Sequence, residues 1–166
     1  MQRQVVDCPA RLMEEGYKFE QISGYDVGQC SIDEPVKLYS TPTTKLHRPV
    51  TLSCSFAHAF GKWTEDVGAK RMTHMGGYNC RKIAGSIFMS QHSYGNAIDI
   101  SIIDGVSISK NWEEPASKAC IYFTNVRTPA TNAAHHDHLH LDNGVGLPCW
   151  IKSISFKLWA TFDLAS

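Results

Sequence analysis

Two short segments carry the side chains of this chain that could do metal chemistry. The first reads Ser90-Gln91-His92-Ser93-Tyr94-Gly95-Asn96-Ala97-Ile98-Asp99, and the second His135-His136-Asp137-His138-Leu139-His140. Two imidazoles, one carboxylate and a water make a four-coordinate zinc site with one open position, which is what a catalytic rather than a structural metal requires. His92, Asp99 and His140 are the candidate ligands. Two nitrogens and one carboxylate suit zinc best, although other borderline transition metals also accept that set. Zinc lowers the pKa of its bound water to about 7, so hydroxide is available at neutral pH. A general base must then sit beside that water, and His138 and Asp137 are the candidates.

Local structure must bring these groups together. Side chains two apart on a strand share a face. His138, His140 and Asp142 therefore point one way while Leu139 and Leu141 point the other, so that the leucines bury and the histidines line a cleft. Asp137 falls on the leucine face unless the strand starts after it. Asp99 stands between Ile98 and Ile100, and a carboxylate on such a strand needs compensation, which a metal supplies. Gly95 permits a positive φ that folds His92 back beside Asp99. His135 and His136 are available as outer hydrogen-bond partners that orient ligands, and alternation makes His136 the bystander of the tract. His47, His58 and His74 are expected to take no part, and the four tryptophans to be core or rim residues. An isolated histidine-rich tract is more often a surface loop than a site; the two segments in one chain raise the catalytic reading.

The elements follow from periodicity and punctuation. Residues 8–15 read as a short helix opened by Cys8-Pro9, and residues 17–22 as a strand. Residues 23–50 read as loops around a short strand at 36–39, punctuated by Pro42 and Pro49. Residues 51–67 form the clearest helix, because Leu52, Phe56, Phe60, Trp63 and Val67 make one apolar face; Thr51 or Ser53 caps it. Gly76-Gly77 is a turn. Residues 97–103 read as a buried strand, and Asp104-Gly105 as a hairpin turn into 106–109. A second helix is predicted over 113–124, a strand over 137–142 and a last strand over 151–164. Without a regular βαβ rhythm the class is α+β with an antiparallel sheet.

Composition limits the rest. The 166 residues fit one domain with a real core, residues 1–166. The formal net charge is zero and no basic run occurs, which argues against nucleic acid as a partner. No apolar stretch is long enough to span a bilayer. No secretory leader stands at the start, and one removed ahead of Met1 is the expectation. A monomer is expected. The six cysteines, Cys8, Cys30, Cys54, Cys80, Cys120 and Cys149, are widely spaced without a Cys-x-x-Cys pair. That suits neither a zinc ribbon nor a thioredoxin-like redox site. It reads as up to three disulfides in an oxidising compartment, with 15 pairings open.

The pattern Ser90-x-His92-x-x-Gly95-x-Ala97-x-Asp99 followed by His138-x-His140 resembles the LAS-type zinc peptidases, the group of lysostaphin, D-Ala-D-Ala peptidases and hedgehog domains. A closer resemblance is to the extensin-like C-terminal domain within that superfamily. It is carried by Gln29-Cys30-Ser31-Ile32 with Pro35-Val36, Cys54 in a helix ending near Trp63, Tyr78-Asn79-Cys80-Arg81, the Cys120-x-x-Phe123 helix, Asn132-Ala133-Ala134-His135, His138-Leu139-His140-Leu141-Asp142 and Cys149. It covers roughly residues 8 to 150. The resemblance implies a small antiparallel sheet with flanking helices and a zinc cleft. It implies a periplasmic or secreted zinc metallopeptidase, endo- or carboxypeptidase, acting on D-Ala-containing bonds in peptidoglycan stem peptides or cross-links. His92, Asp99 and His140 would bind zinc, and His138 would activate water or stabilise the oxyanion. Arg81 would hold a substrate carboxylate or oxyanion bidentately. Asp137 occupies the place of an acidic base, one carbon shorter than the usual Glu. The alternative is a catalytically inactive, zinc-stabilised wall- or protein-binding module, a use to which hedgehog domains put the fold. Seven prolines and no proline-rich repeat give no support to a structural wall role.

Overall fold

The computed structural model describes residues 7–26, 28–145 and 149. The chain is α+β, with three α-helices and one mixed sheet of eight strands among the described residues. The elements are α1 (Cys8–Glu14), β1 (Lys18–Gln21), β2 (Pro35–Ser40), β3 (Lys45–Ser53), α2 (Cys54–Val67), β4 (Arg71–Gly76), β5 (Ala97–Ile103), β6 (Val106–Ser107), α3 (Glu113–Ala119), β7 (Asn125–Arg127) and β8 (Leu139–Asp142). The strand order is β1-β2-β3-β4-β5-β8-β7, with β6 paired to β5. Every pairing is antiparallel except β3 with β4. The exception follows from connectivity, since α2 carries the chain from β3 to β4, and parallel neighbours need such a crossover. The last predicted strand, over 151–164, lies outside the described residues.

The largest departure from the sequence reading is β3, most of which falls in a stretch expected to be loops. Pro49 explains the difficulty. β3 pairs with β2 from Val50 onward and again at Lys45, with an irregularity between. Proline, lacking an N–H, sits where the ladder is interrupted. The helix expected from residue 51 begins at Cys54, because residues 51–53 still pair with β2. Ser53 is its cap: the side chain accepts the Phe56 N–H at 3.3 Å. Gly68, with φ of 76°, ends it one residue past Val67. The second helix ends at Ala119 rather than 124. The short strands β4 and β7 carry no alternation in sequence that marks them as strands.

One face of the sheet packs on the helices. Phe56, Phe60 and Trp63 of α2 are fully buried against Ile98, Ile100, Leu139 and Leu141 in one core cluster. Phe123 packs on the rings of Phe56 and Trp63, with centroids 5.3 and 6.1 Å apart. The buried Trp63 indole N–H donates to the carbonyl of Pro115 at 3.0 Å, so its polar atom is satisfied. Three disulfides close the chain on itself: Cys8–Cys54, Cys30–Cys80 and Cys120–Cys149. They join α1 to the start of α2, tether the segment that leads into Arg81, and fix the chain beyond β8 to the end of α3. Such links typically contribute 2–4 kcal/mol each, roughly, by restricting the unfolded chain. Among the described residues, no helix is long and apolar enough to cross a membrane.

Candidate metal centre

The register of the sheet builds the site. Gly76 of β4 is opposite Asp99 of β5, Asp99 is opposite His140 of β8, and His140 is opposite Arg127 of β7. Side chains in one such row leave the sheet on one face. Ile98, Ile100, Leu139 and Leu141 take the other face and are completely buried. The alternation read from the sequence is thus borne out, and it puts a carboxylate and an imidazole side by side over the open face. Gly76 adds no side chain to the row, and a Cβ there would meet nothing within 4 Å.

His92 arrives from a 3-10 turn, Gln91–Tyr94. Ser90 caps that turn through the His92 N–H, and Gly95 ends it at φ of 66°. Gly95 is doubly constrained. An added Cβ would stand 2.7 Å from the Ser53 nitrogen and 3.0 Å from the Leu52 carbonyl carbon, and both are backbone atoms that do not yield. Gly95→Ala is therefore expected to cost about 2–4 kcal/mol and to weaken metal binding by displacing His92. Gly85→Ala is the control: its φ of 73° is also positive but its surroundings are open, so only the conformational part, about 1–2 kcal/mol, applies. Thermal melts with and without zinc check both.

Hydrogen bonds fix which nitrogen of each ring faces the site. The His92 Nδ1–H donates to the Gly77 carbonyl at 2.6 Å. Its Nε2 is buried, has no hydrogen-bond partner and lies 3.3 Å from Asp99 Oδ2. Leaving a buried ring nitrogen bare costs free energy, and this one faces a carboxylate, so a cation between them would satisfy both. The His140 Nε2–H donates to Asp142 Oδ2 at 2.8 Å, and its Nδ1 faces Asp99 Oδ1 at 2.8 Å. Asp142 is itself held by the Asn125 side-chain amide and the Gly144 N–H, each at 2.8 Å. This is the carboxylate–histidine arrangement that orients metal-binding imidazoles. The three ligand atoms of His92, Asp99 and His140 lie within 4.8 Å of one another. Two nitrogens, one oxygen and an orphaned Nε2 fit a divalent transition ion, so this buried group could hold a metal.

The charges agree with that fit. Burial disfavours the Asp99 carboxylate, but the adjacent imidazoles of His140 and His92 outweigh it and hold Asp99 well below the ordinary carboxylate range. Burial also opposes charge on His140, yet Asp142 and Asp99 raise it to about 9. The anionic surroundings that keep a proton on His140 equally favour a cation in its place.

The other candidate residues are placed around this group. His138 is buried just before β8; its Nδ1–H donates to Asp137 Oδ1 at 2.8 Å and its Nε2 lies 3.8 Å from Asp99 Oδ1. β8 begins at Leu139, so alternation does not bind Asp137, which sits behind His138 and away from the ligands. The His135 Nδ1–H donates to Asn132 Oδ1 at 2.7 Å. Its ring stands 5.1 Å from that of His138 and 5.8 Å from that of His140. Burial first, then the neighbouring His140, His138 and Arg127, push His135 down to about 4. His136 is exposed; its Nδ1–H donates to the Ala133 carbonyl at 2.9 Å, and its Nε2 lies 3.9 Å from Asp137 Oδ2. Arg81 lies at the rim, its backbone pinned by the Ser93 hydroxyl and by the Cys30–Cys80 disulfide next to it. Sequence reasoning assigned no role to Asp142 or to the Gly77 carbonyl. Alternation from His140 already put Asp142 on the site face and was the available signal; no side-chain pattern reveals a backbone acceptor.

A second buried imidazole lies on β4. The His74 Nε2–H donates to the Arg48 carbonyl at 3.0 Å, and its Nδ1 has no partner. Burial, helped by the nearby His47 and Arg48, pushes His74 down to about 4 from an ordinary 6.5. The unfolded chain therefore binds a proton that the folded protein refuses. Stability contributed by neutral His74 is present above pH 6.5 and lost as pH falls toward 4, by up to about 3 kcal/mol. His74→Leu is expected to flatten that part of a denaturation-versus-pH curve.

A family model described as "Extensin-like protein C-terminus" matches residues 6–149. The chain belongs to this family. No curated protein matches it. The match spans nearly the whole chain of this extensin-like domain, including the three candidate ligands, His138 with Asp137, Arg81 and all six cysteines.

Proposed function

We propose that this extensin-like domain is a zinc metallopeptidase of the LAS type that hydrolyses D-Ala-containing amide bonds in peptidoglycan, and that it works in the periplasm or outside the cell. The observation that carries the reading is the bare, buried Nε2 of His92 aimed at the Asp99–His140 pair. His92, Asp99 and His140 would hold the ion, and the two-nitrogen, one-oxygen set favours zinc. When bound, such an ion supplies Lewis-acid polarisation of a carbonyl and hydroxide at neutral pH.

The chain's own groups do the rest. Asp142 and the Gly77 carbonyl hold the two ligand imidazoles in fixed tautomers. His138 presents Nε2 toward the ligand group while Asp137 holds its Nδ1–H. His138 can thus accept a proton at Nε2 and return it to the leaving amine. Arg81 at the rim offers its guanidinium to a substrate carboxylate or to the developing oxyanion. A purely binding module has no task for the His138–Asp137 pair. The three disulfides suit an oxidising compartment, where wall peptides are met.

The test is incubation of the zinc-loaded protein with sacculi and purified muropeptides, followed by mass spectrometry. Amide cleavage that chelator abolishes is expected. No cleavage at any pH with zinc fully loaded would overturn the enzyme reading in favour of the binding module.

A further inference from the structure

Two cavities open on the metal group from opposite sides. One, of about 470 Å³, lies over β3 and β4 and is lined by Tyr25, Arg48, His74, Gly76 and His92 among others. The second, of about 370 Å³, lies over β8 and β7 and is lined by Ile83, Arg127, His135, His138 and His140 among others. Asp99 and Arg81 line both, so the cavities meet at the ligands.

Each arm also carries its own arginine. Arg48 is held in place: its Nε–H donates to His47 Nε2 at 3.1 Å and one Nη2–H to the Met75 carbonyl at 2.9 Å, which leaves the rest of the fork for a ligand. Arg127 follows directly from the register, opposite His140 and in the same row as Asp99. Among the described residues the only carboxylates lining either cavity are Asp99 and Asp142, and His140 bonds both. In a chain of zero net charge, both arms are therefore cationic.

We infer that the two cavities are the arms of a single cleft for a peptide that runs through the centre and carries a free carboxylate on each side of the bond cut, one met by Arg48 and the other by Arg127. This rests on the amide-hydrolase reading and decides between its two modes: the bond is internal, and the activity is that of an endopeptidase. Arg48 stands on β3 and Arg127 on β7, four strand spacings apart in the order β3-β4-β5-β8-β7. That is roughly 19 Å at the backbone, the reach of about six extended residues. A cross-linked pair of stem peptides has that length and those carboxylates; a single terminal D-Ala fills neither arm.

The experiment uses the zinc-loaded protein with a purified cross-linked muropeptide dimer, its carboxyl-amidated form, and Arg48→Ala and Arg127→Ala variants. Binding to the dimer is measured by titration with the His138→Ala protein, which turns over slowly, and products of the intact enzyme are read by mass spectrometry. Conversion of dimer to monomers is expected, with each arginine variant raising KM on the order of tenfold and affecting kcat less. Amidation should weaken binding similarly and remove the effect of the variants. Release of free D-Ala alone, with dimer left intact, overturns the inference while the hydrolase reading stands. Arginine- and carboxylate-dependent binding without any cleavage sinks the hydrolase reading and keeps the two-armed cleft. Binding indifferent to both arginines overturns the cleft whatever the products.

Discussion

Asp99→Asn is expected to lower zinc affinity at least 100-fold and to take amide hydrolysis with it. The change is nearly isosteric, so the fold should survive, and the effect isolates one charge. Asp99 supplies the oxygen of the ligand set and stands between the two imidazoles, 3.3 Å from His92 Nε2 and 2.8 Å from His140 Nδ1. Losing an outer partner of a metal ligand already costs 10–100-fold, roughly, in affinity, and the ligand itself should cost more. The readout is competition against a chelator of known affinity, together with melting. Zinc at 100 times its Kd stabilises the wild type by about 2.7 kcal/mol, roughly 5–10 °C for a domain of this size. The variant should show almost no shift at the same zinc concentration. An equal shift in both proteins would mean that the ion binds elsewhere, and with it the assignment of this cluster would fall.

How much of this was legible in the sequence depended on whether a feature is local. The grouping of His92, Asp99 and His140 could be read because period-two alternation fixes the face of His140 and Asp142, and because Gly95 is the residue that a left-handed turn requires. The helix α2 could be read because five large apolar residues recur at its period. The parallel pairing of β3 with β4 could not, since Pro49 breaks the pattern of β3 and β4 is short. That pairing nevertheless sets the site, for it brings Gly76, Gly77 and Arg48 up to the ligands. The two-sided cleft was equally hidden: it exists only once the register aligns Gly76, Asp99, His140 and Arg127 in one row. The pairing of the six cysteines, one choice among 15, likewise needed the fold.

The roles of His138 and Asp137 remained open at the level of residue types and separate once their positions are known. His138 offers Nε2 to the site, 3.8 Å from Asp99 Oδ1, whereas Asp137 reaches only the far nitrogen of the same ring, at 2.8 Å. Asp137 is then a positioning residue that acts through His138. His138→Ala should lower kcat by about 10²–10⁴-fold with zinc affinity little changed, because the three ligands stay. Asp137→Asn keeps a group able to hold the ring and should lower kcat by only about tenfold to 100-fold. The double variant should be no slower than His138→Ala, since a residue that works through another has nothing to add once that partner is gone. Initial rates on muropeptides, with zinc content measured for each protein, decide the matter. If Asp137→Asn proves the more damaging, or if the two losses multiply, then Asp137 meets the reacting water directly and the order of the pair is reversed.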